Sequence, residues 1–126
     1  MPVIFLTTTG ANTWTVPSDW NSADNTIECI GGGGGGIDGG TFIPGTSGGG
    51  GGGYSLKSNL TLTPSGSVSY TVGVGGAANT DGGDTWFNGA NLAASSCGAK
   101  GGPKGAYVTV NGGQASAGVG DTKYSG

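Results

Sequence analysis

The chain has no histidine and no arginine, a single glutamate, two cysteines and one methionine among its 126 residues. Each shortage closes a class of function. Without histidine, general acid–base catalysis loses its usual carrier, and Glu28 stands alone in an apolar run rather than beside a second carboxylate. The six aspartates form no close pair suited to acid and base roles. Asp38, Asp81, Asp84 and Asp121 stand near glycines, as calcium ligands do, but the ligand spacing of a calcium loop is missing. Four lysines against seven acidic residues leave a net charge of -3, so a phosphate backbone would meet almost no counter-charge. Cys29 and Cys97 lack the close-spaced partners of a zinc or redox site. They read as two small buried residues in strands, with a disulfide between them as the alternative. No apolar stretch approaches the roughly 20 residues needed to span a bilayer, and residues 1–10 have neither the charged start nor the length of a signal peptide. The expectation is a protein that is not an enzyme, takes no cofactor or metal, binds no nucleic acid and does not insert into a membrane.

What the chain has in excess is glycine. Its 32 glycines and five prolines put it where low complexity or disorder is the default reading. Against that default, disordered chains combine low hydrophobicity with high charge, whereas only 9% of this chain is charged and its apolar residues fall in short β-type runs. Glycine carries the largest entropy cost on folding, so these residues must be held cooperatively, and dense backbone hydrogen bonding is the means.

The runs predict strands. Residues 2–9 are β-branched and aromatic, Gly10, Ala11 and Asn12 supply turn residues, and in 13–17 Trp14 and Val16 alternate with Thr13 and Thr15. Trp14 is expected in the core. Residues 18–24 read as a loop or one short helical turn. In 25–30, Ile27 and Cys29 share one face, and this strand runs without a break into glycine. Leu60 and Leu62 alternate with threonines up to a turn at Pro64, Ser65 and Gly66, and Val68, Tyr70 and Val72 alternate beyond it, predicting a hairpin. Residues 85–87 form a short strand before the Asn88–Gly89 turn signal. Residues 91–97 fit a strand or a helical turn, 107–110 form a final strand, and 114–126 are small and polar. No segment has helical apolar spacing, so one all-β domain over residues 1–126 is expected.

Two six-glycine tracts remain: Gly31, Gly32, Gly33, Gly34, Gly35 and Gly36, then Gly48, Gly49, Gly50, Gly51, Gly52 and Gly53. A flexible linker would need a domain on either side, and the eleven residues between the tracts cannot form one. A phosphate loop would need lysine and serine or threonine directly after the glycines, where this chain has Ile37 and Asp38, then Tyr54 and Ser55. The surviving reading is a polyglycine II-like extended helix, whose unpaired amides and carbonyls are satisfied by similar segments packed beside it. Each tract would span about 19 Å. The fold expected is a small β-sandwich-like domain with packed glycine tracts and protruding loops, and loops on a rigid scaffold are where binding resides.

The order of these motifs resembles the glycine-rich domain of bacteriophage tail-fibre and adhesin proteins. The residues that carry the resemblance are 13–17, then 27–30 running into the first tract, the second tract with Tyr54 and Ser55, 70–76, and 82–87. The resemblance implies a virion-surface component, outside the cell after release, whose glycine tracts are scaffold for loops that contact the host. Its partners would be other virion proteins, further copies of itself, and a host cell-surface glycan or protein. Aromatic faces beside polar groups suit sugar, so Phe42, Asp84, Trp86, Phe87 and Asn88 are the candidate ligand-binding residues. A core position for Trp86 and Phe87 is the competing reading. The chain shows no evident domain for docking onto a fibre, and related chains often continue into further glycine beyond the position of Gly126. Alternatives are a head fibre, a capsid decoration or another structural virion subunit without a ligand. An ice-binding protein is disfavoured, because such a fold would repeat glycine at every third position almost throughout.

Overall fold

A computed structural model describes residues 2–39, 47–107 and 109–126. Alternating short runs pair into two antiparallel sheets. In the first, β1 (Gly10–Thr15), β4 (Ser67–Val72), β5 (Thr85–Phe87) and β6 (Cys97–Ala99) lie in the order β1-β4-β5-β6. In the second, β2 (Thr26–Ile30), β3 (Tyr54–Ser58) and β7 (Thr122–Tyr124) lie in the order β2-β3-β7. The only helical element among the described residues is a 3-10 turn at Ala115–Ala117. The fold is all-β and sandwich-like, with β5 and β6 packed across β2 and β6 also across β3.

The period-2 pattern decides what enters the core. Cys29 from β2, Val68 and Tyr70 from β4, Phe87 from β5, and Cys97 and Ala99 from β6 meet there with Val16. Trp14 lies partly buried at its border, edge-on to Trp20 (5.9 Å) and to Phe87 (5.7 Å). Both cysteines are buried and free, in strands of opposite sheets.

Several strands differ from expectation, each because a partner is lacking or taken. Residues 2–9 form no strand, and the expected turn residues Gly10, Ala11 and Asn12 open β1 instead. Pairing ends where Gly10 faces Val72, since β4 leaves the sheet at Gly73, whose N–H donates to Thr85 Oγ1 (2.9 Å). Gly10 turns with φ +85, and the Asn12 amide fixes the bend by donating to the carbonyls of Thr8 and Gly10 (3.0 Å each). The hairpin through Pro64 loses its first arm. The Leu60 carbonyl accepts from Trp20 Nε1 and Asn25 Nδ2, and its N–H donates to Asn25 Oδ1, so its strand-pairing groups are occupied. β4 pairs with β1 and β5 instead. Residues 91–96 are turns, the described part of 107–110 is not strand, and β7 lies in the small, polar 114–126.

The glycine tracts are neither strand nor helix, yet their backbone is paired with a period of three. The N–H groups of Gly31 and Gly34 donate to the carbonyls of Gly53 and Gly50 (2.9 and 2.8 Å). Those of Gly32 and Gly35 donate to Gly83 and Thr80 (2.9 Å each). On the acceptor side, Gly32 and Gly35 receive Gly102 and Gly105 (2.8 Å each), while Gly33 and Gly36 receive Gly76 and Asn79 (2.7 and 2.8 Å). Residues three apart thus face the same neighbour, as a three-residue-per-turn extended helix requires. Among the described residues six such segments lie side by side: 31–36, 48–53, 73–77, 80–84, 100–105 and 111–113.

Close approach, rather than left-handed backbone, is why the first tract needs glycine. A Cβ at Gly31 or Gly34 would enter the carbonyl of Lys100 or Pro103, and one at Gly32 or Gly35 that of Val74 or Ala77. At Gly33 and Gly36 the nearest atoms would be 3.8 and 3.9 Å away, an ordinary contact.

Two outcomes follow from this packing. Gly33→Ala should leave the chemical unfolding midpoint nearly unchanged, whereas Gly32→Ala, Gly34→Ala or Gly35→Ala should each lower stability by about 3 kcal/mol or prevent folding, as overpacking against rigid backbone does. Equal losses at all four positions would contradict the period-three packing. Separately, Lys57 Nζ (2.7 Å) and the Ser58 N–H (2.9 Å) donate to the Asp121 carboxylate, holding its pKa below the ordinary aspartate value of 3.8. A depressed folded pKa gives stability that is complete above the unfolded value and lost as pH falls through the folded one. The melting temperature should therefore drop more steeply between about pH 5 and pH 2 in the wild type than in Asp121→Asn; parallel profiles would remove Asp121 from the acid response.

Candidate functional site

Five of the six glycine segments directly continue a strand of the sandwich. Segment 31–36 leaves β2 and 48–53 returns to β3; 73–77 leaves β4 and 80–84 returns to β5; 100–105 leaves β6 and 111–113 leads back toward β7. The directions follow from the pairing, since Gly31 meets Gly53 and Gly34 meets Gly50, while Gly102 and Gly105 run alongside Gly32 and Gly35. The described ends of all three excursions between outgoing and returning segments therefore lie at one end, opposite the sandwich.

Hydrogen bonds lace that tip together. The Asn79 N–H donates to the Gly36 carbonyl (2.8 Å), and Asn79 Oδ1 accepts from the Asp38 N–H (3.3 Å). Asn79 adopts φ +62, which suits asparagine in a tight turn. Ser47 Oγ donates to the Ala106 carbonyl (2.8 Å) and accepts from the Ala106 N–H (2.9 Å). Asp38 and Asn79 are exposed, and Tyr107 beside this lacing is 65% exposed. These residues form an aromatic and polar surface on a rigid base, suited to noncovalent recognition.

The residues expected to bind ligand lie elsewhere, apart from Phe42, which falls outside the described residues. Asp84 ends a glycine segment on the flank of the bundle, where its carboxylate accepts from the Gly101 N–H (2.8 Å) and from Lys100 Nζ (3.1 Å). Trp86 is half-buried in β5, its indole N–H donating to the Gly89 carbonyl (3.1 Å). Phe87 is a core residue, 5% exposed. Asn88 takes φ +58, donates its N–H to the Ser69 carbonyl (2.8 Å) and its side-chain amide to Ser96 Oγ (2.8 Å). The structure brings these four together around β5, in building roles, and not with the tip. Tyr107, Asn79 and Asp38 are the exposed tip residues that strand-and-turn reading passed over.

Asp84 and Asp81 share one task. Gly101 and Lys104 are three residues apart, so their N–H groups leave the same side of segment 100–105, where among the described residues no backbone carbonyl accepts them. The two carboxylates, also three apart, accept these amides at 2.8 Å each. They close the bundle where another segment would otherwise pair, as charged residues protect sheet edges. Beside them runs a shallow groove of about 250 Å³ lined by Asp81, Lys100, Pro103, Asn111 and Gln114 over a glycine floor. Among the described residues no three acidic, cysteine or histidine side chains group to hold a metal ion.

A family model described as a glycine-rich domain matches residues 7–126. No curated protein and no solved structure matches the chain.

Removing the cap at Asp84 should expose an unpaired amide. Asp84→Ala is expected to lower stability by about 2 kcal/mol and to speed hydrogen exchange at Gly101 while leaving that at Gly34 slower. Unaltered exchange at Gly101 would show that the carboxylate does not protect it.

Proposed function

The chain belongs to the glycine-rich domain family, and we propose that it is a bacteriophage virion component, a tail-fibre or tail-tip domain whose loop tip contacts the host cell surface. The observation that carries this reading is the convergence of the described ends of all three loop excursions at one end of a bundle built around two all-glycine segments. Such a bundle fixes its loops without dictating their sequence, which suits a surface that must follow a changing receptor. The exposed Tyr107 ring with Asp38 and Asn79 matches a ligand with both apolar and hydroxyl-rich faces, as a surface glycan has. The reading is noncatalytic: the charged groups beside the groove are engaged in holding backbone amides and each other. The net charge of -3 disfavours a nucleic-acid partner.

A second reading, a structural virion subunit without a host ligand, has its own support. Residues 2–9 form no strand, and Val3 and Phe5 are 77% and 81% exposed. An apolar, β-forming segment that joins neither sheet suits assembly with other virion proteins or further copies of this chain.

The test uses the labelled full chain on a panel of intact bacterial cells, with a variant that combines Tyr107→Ala and Asn79→Ala. Saturable binding by the wild type and a loss of about tenfold or more in the variant, the size of a binding hot spot, is the expected result. Equal binding by the variant would remove the tip from recognition. Absence of binding across the panel, together with a virion copy number far above that of tail fibres, would favour the structural subunit.

A further inference from the structure

The attachment reading leaves the two cysteines unused. Cys29 on β2 and Cys97 on β6 point into the same layer between the sheets, 4% and 0% exposed. Cys29 Sγ lies 3.6 Å from the Cys97 carbonyl, and Cys97 Sγ lies 3.6 Å from the carbonyls of Ile27 and Ser55. Ser55 is the register partner of Cys29 on β3, so the Cys97 side chain sits directly against the Cys29–Ser55 pair. The thiols also govern one another's ionisation: a hydrogen bond to Cys97, and then burial, push the Cys29 pKa up, while the same hydrogen bond draws Cys97 down. Next to them the Ser55 hydroxyl is fully buried and, among the described residues, has no hydrogen-bond partner. This is the polar point of a small core.

We propose that Cys29 and Cys97 are the site of an inter-sheet disulfide that forms when the chain folds or opens in the presence of a low-molecular-weight disulfide such as oxidised glutathione. Each sulfur lies against backbone of the other's strand or of the strand paired with it, so the two side chains share one layer of the core, the proximity that a disulfide requires. In the first step one thiolate attacks the glutathione disulfide, releasing one reduced glutathione and leaving a mixed disulfide. The second thiolate then attacks the protein sulfur of that bond and releases the other glutathione. Two protein thiols lose two electrons and two protons, and one glutathione disulfide becomes two thiols. Burial blocks this exchange in the closed state, so the reaction passes through an opened or unfolded chain. Once formed, the bond ties β2 to β6 across a long loop that includes both six-glycine tracts, where a cross-link restricts the unfolded chain most. The inference rests on the sandwich core alone and is independent of the attachment reading.

The test compares the full chain, reduced and desalted, in two arms: held folded with oxidised glutathione, and unfolded then refolded with it. Each is alkylated in denaturant and its intact mass measured. The refolded arm should yield an unalkylated species two hydrogens lighter than the dithiol and free of glutathione, and the folded arm should reach it far more slowly. Its melting temperature should stand on the order of 10 °C higher than that of the dithiol and return on reduction. Cys29→Ala and Cys97→Ala should each show no reductant-dependent shift, a control that holds even if either variant is less stable. Refolded chains that keep both thiols alkylatable, that carry two glutathiones, or that melt lower when cross-linked would overturn the proposal.

Discussion

Backbone amides and carbonyls paired every third residue between glycine segments are the constraint from which the other features follow. A glycine segment has no side chains with which to exclude water or fix its own conformation, so its polar groups must all find partners or remain solvated. The entropy lost per ordered residue is about 1–2 kcal/mol even before glycine's extra freedom is counted. One hydrogen-bonded neighbour could not offset that. Segment 31–36 has four, with the amides of Gly31 and Gly32 going to different segments and the carbonyls of Gly32 and Gly33 to two more. Stability here is collective, and it explains why 31–36 and 48–53, each packed against several segments, are glycine throughout. Other segments carry side chains, and Asp81, Asp84 and Lys100 among them bond to each other or to the neighbouring segment's amides.

Such a bundle cannot set its own register. A pure glycine tract shifted by three residues would present the same pattern of donors and acceptors, and featureless segments are prone to slip. The sandwich removes that freedom. Ile30 continues directly into Gly31 and Gly53 into Tyr54, so the pairing of Cys29 with Ser55 and of Ile30 with Tyr54 fixes which glycine meets which. The same holds for β4 and β5, where Tyr70 faces Phe87 just before both chains enter the bundle. A core of few residues suffices because its task is to align six segments rather than to supply most of the buried area.

Period-2 alternation made β2, β4 and β5 legible, because their inward residues, Cys29, Val68, Tyr70 and Phe87, are spaced as a buried face demands. Residue propensity misled at residues 2–9, and alternation at Leu60 and Leu62, because strand formation there needed an edge that the fold does not offer. Whether a β-forming segment pairs depends on where β4 departs at Gly73 and on Asn25 occupying Leu60, and both are tertiary facts. β7 was hidden for the opposite reason, since Thr122 and Tyr124 carry little pattern and pair only because β3 offers an edge. The candidate site fared similarly. Trp86 and Phe87 alternate, so one of them had to face inward, and Asp84 beside glycine is as well suited to capping an amide as to holding a ligand.

The tip was nonetheless written in the chain as a repeated order: strand, glycine, excursion, glycine, strand. It occurs from β2 to β3, from β4 to β5, and in looser form from β6 to β7, with the residues after Gly36, Gly76 and Gly105 in equivalent places. The third occurrence is hard to see because Tyr107, Thr109 and Val110 look like a strand, and a strand there would have ended the repeat. Pairing of Gly105 with Gly35 and of Ala106 with Ser47 shows why the described residues there are not strand: the chain has reached the end of the glycine segments. Exposed Tyr107 is thus an aromatic residue held at the tip by the same period-three pairing that leaves the glycine tracts without side chains.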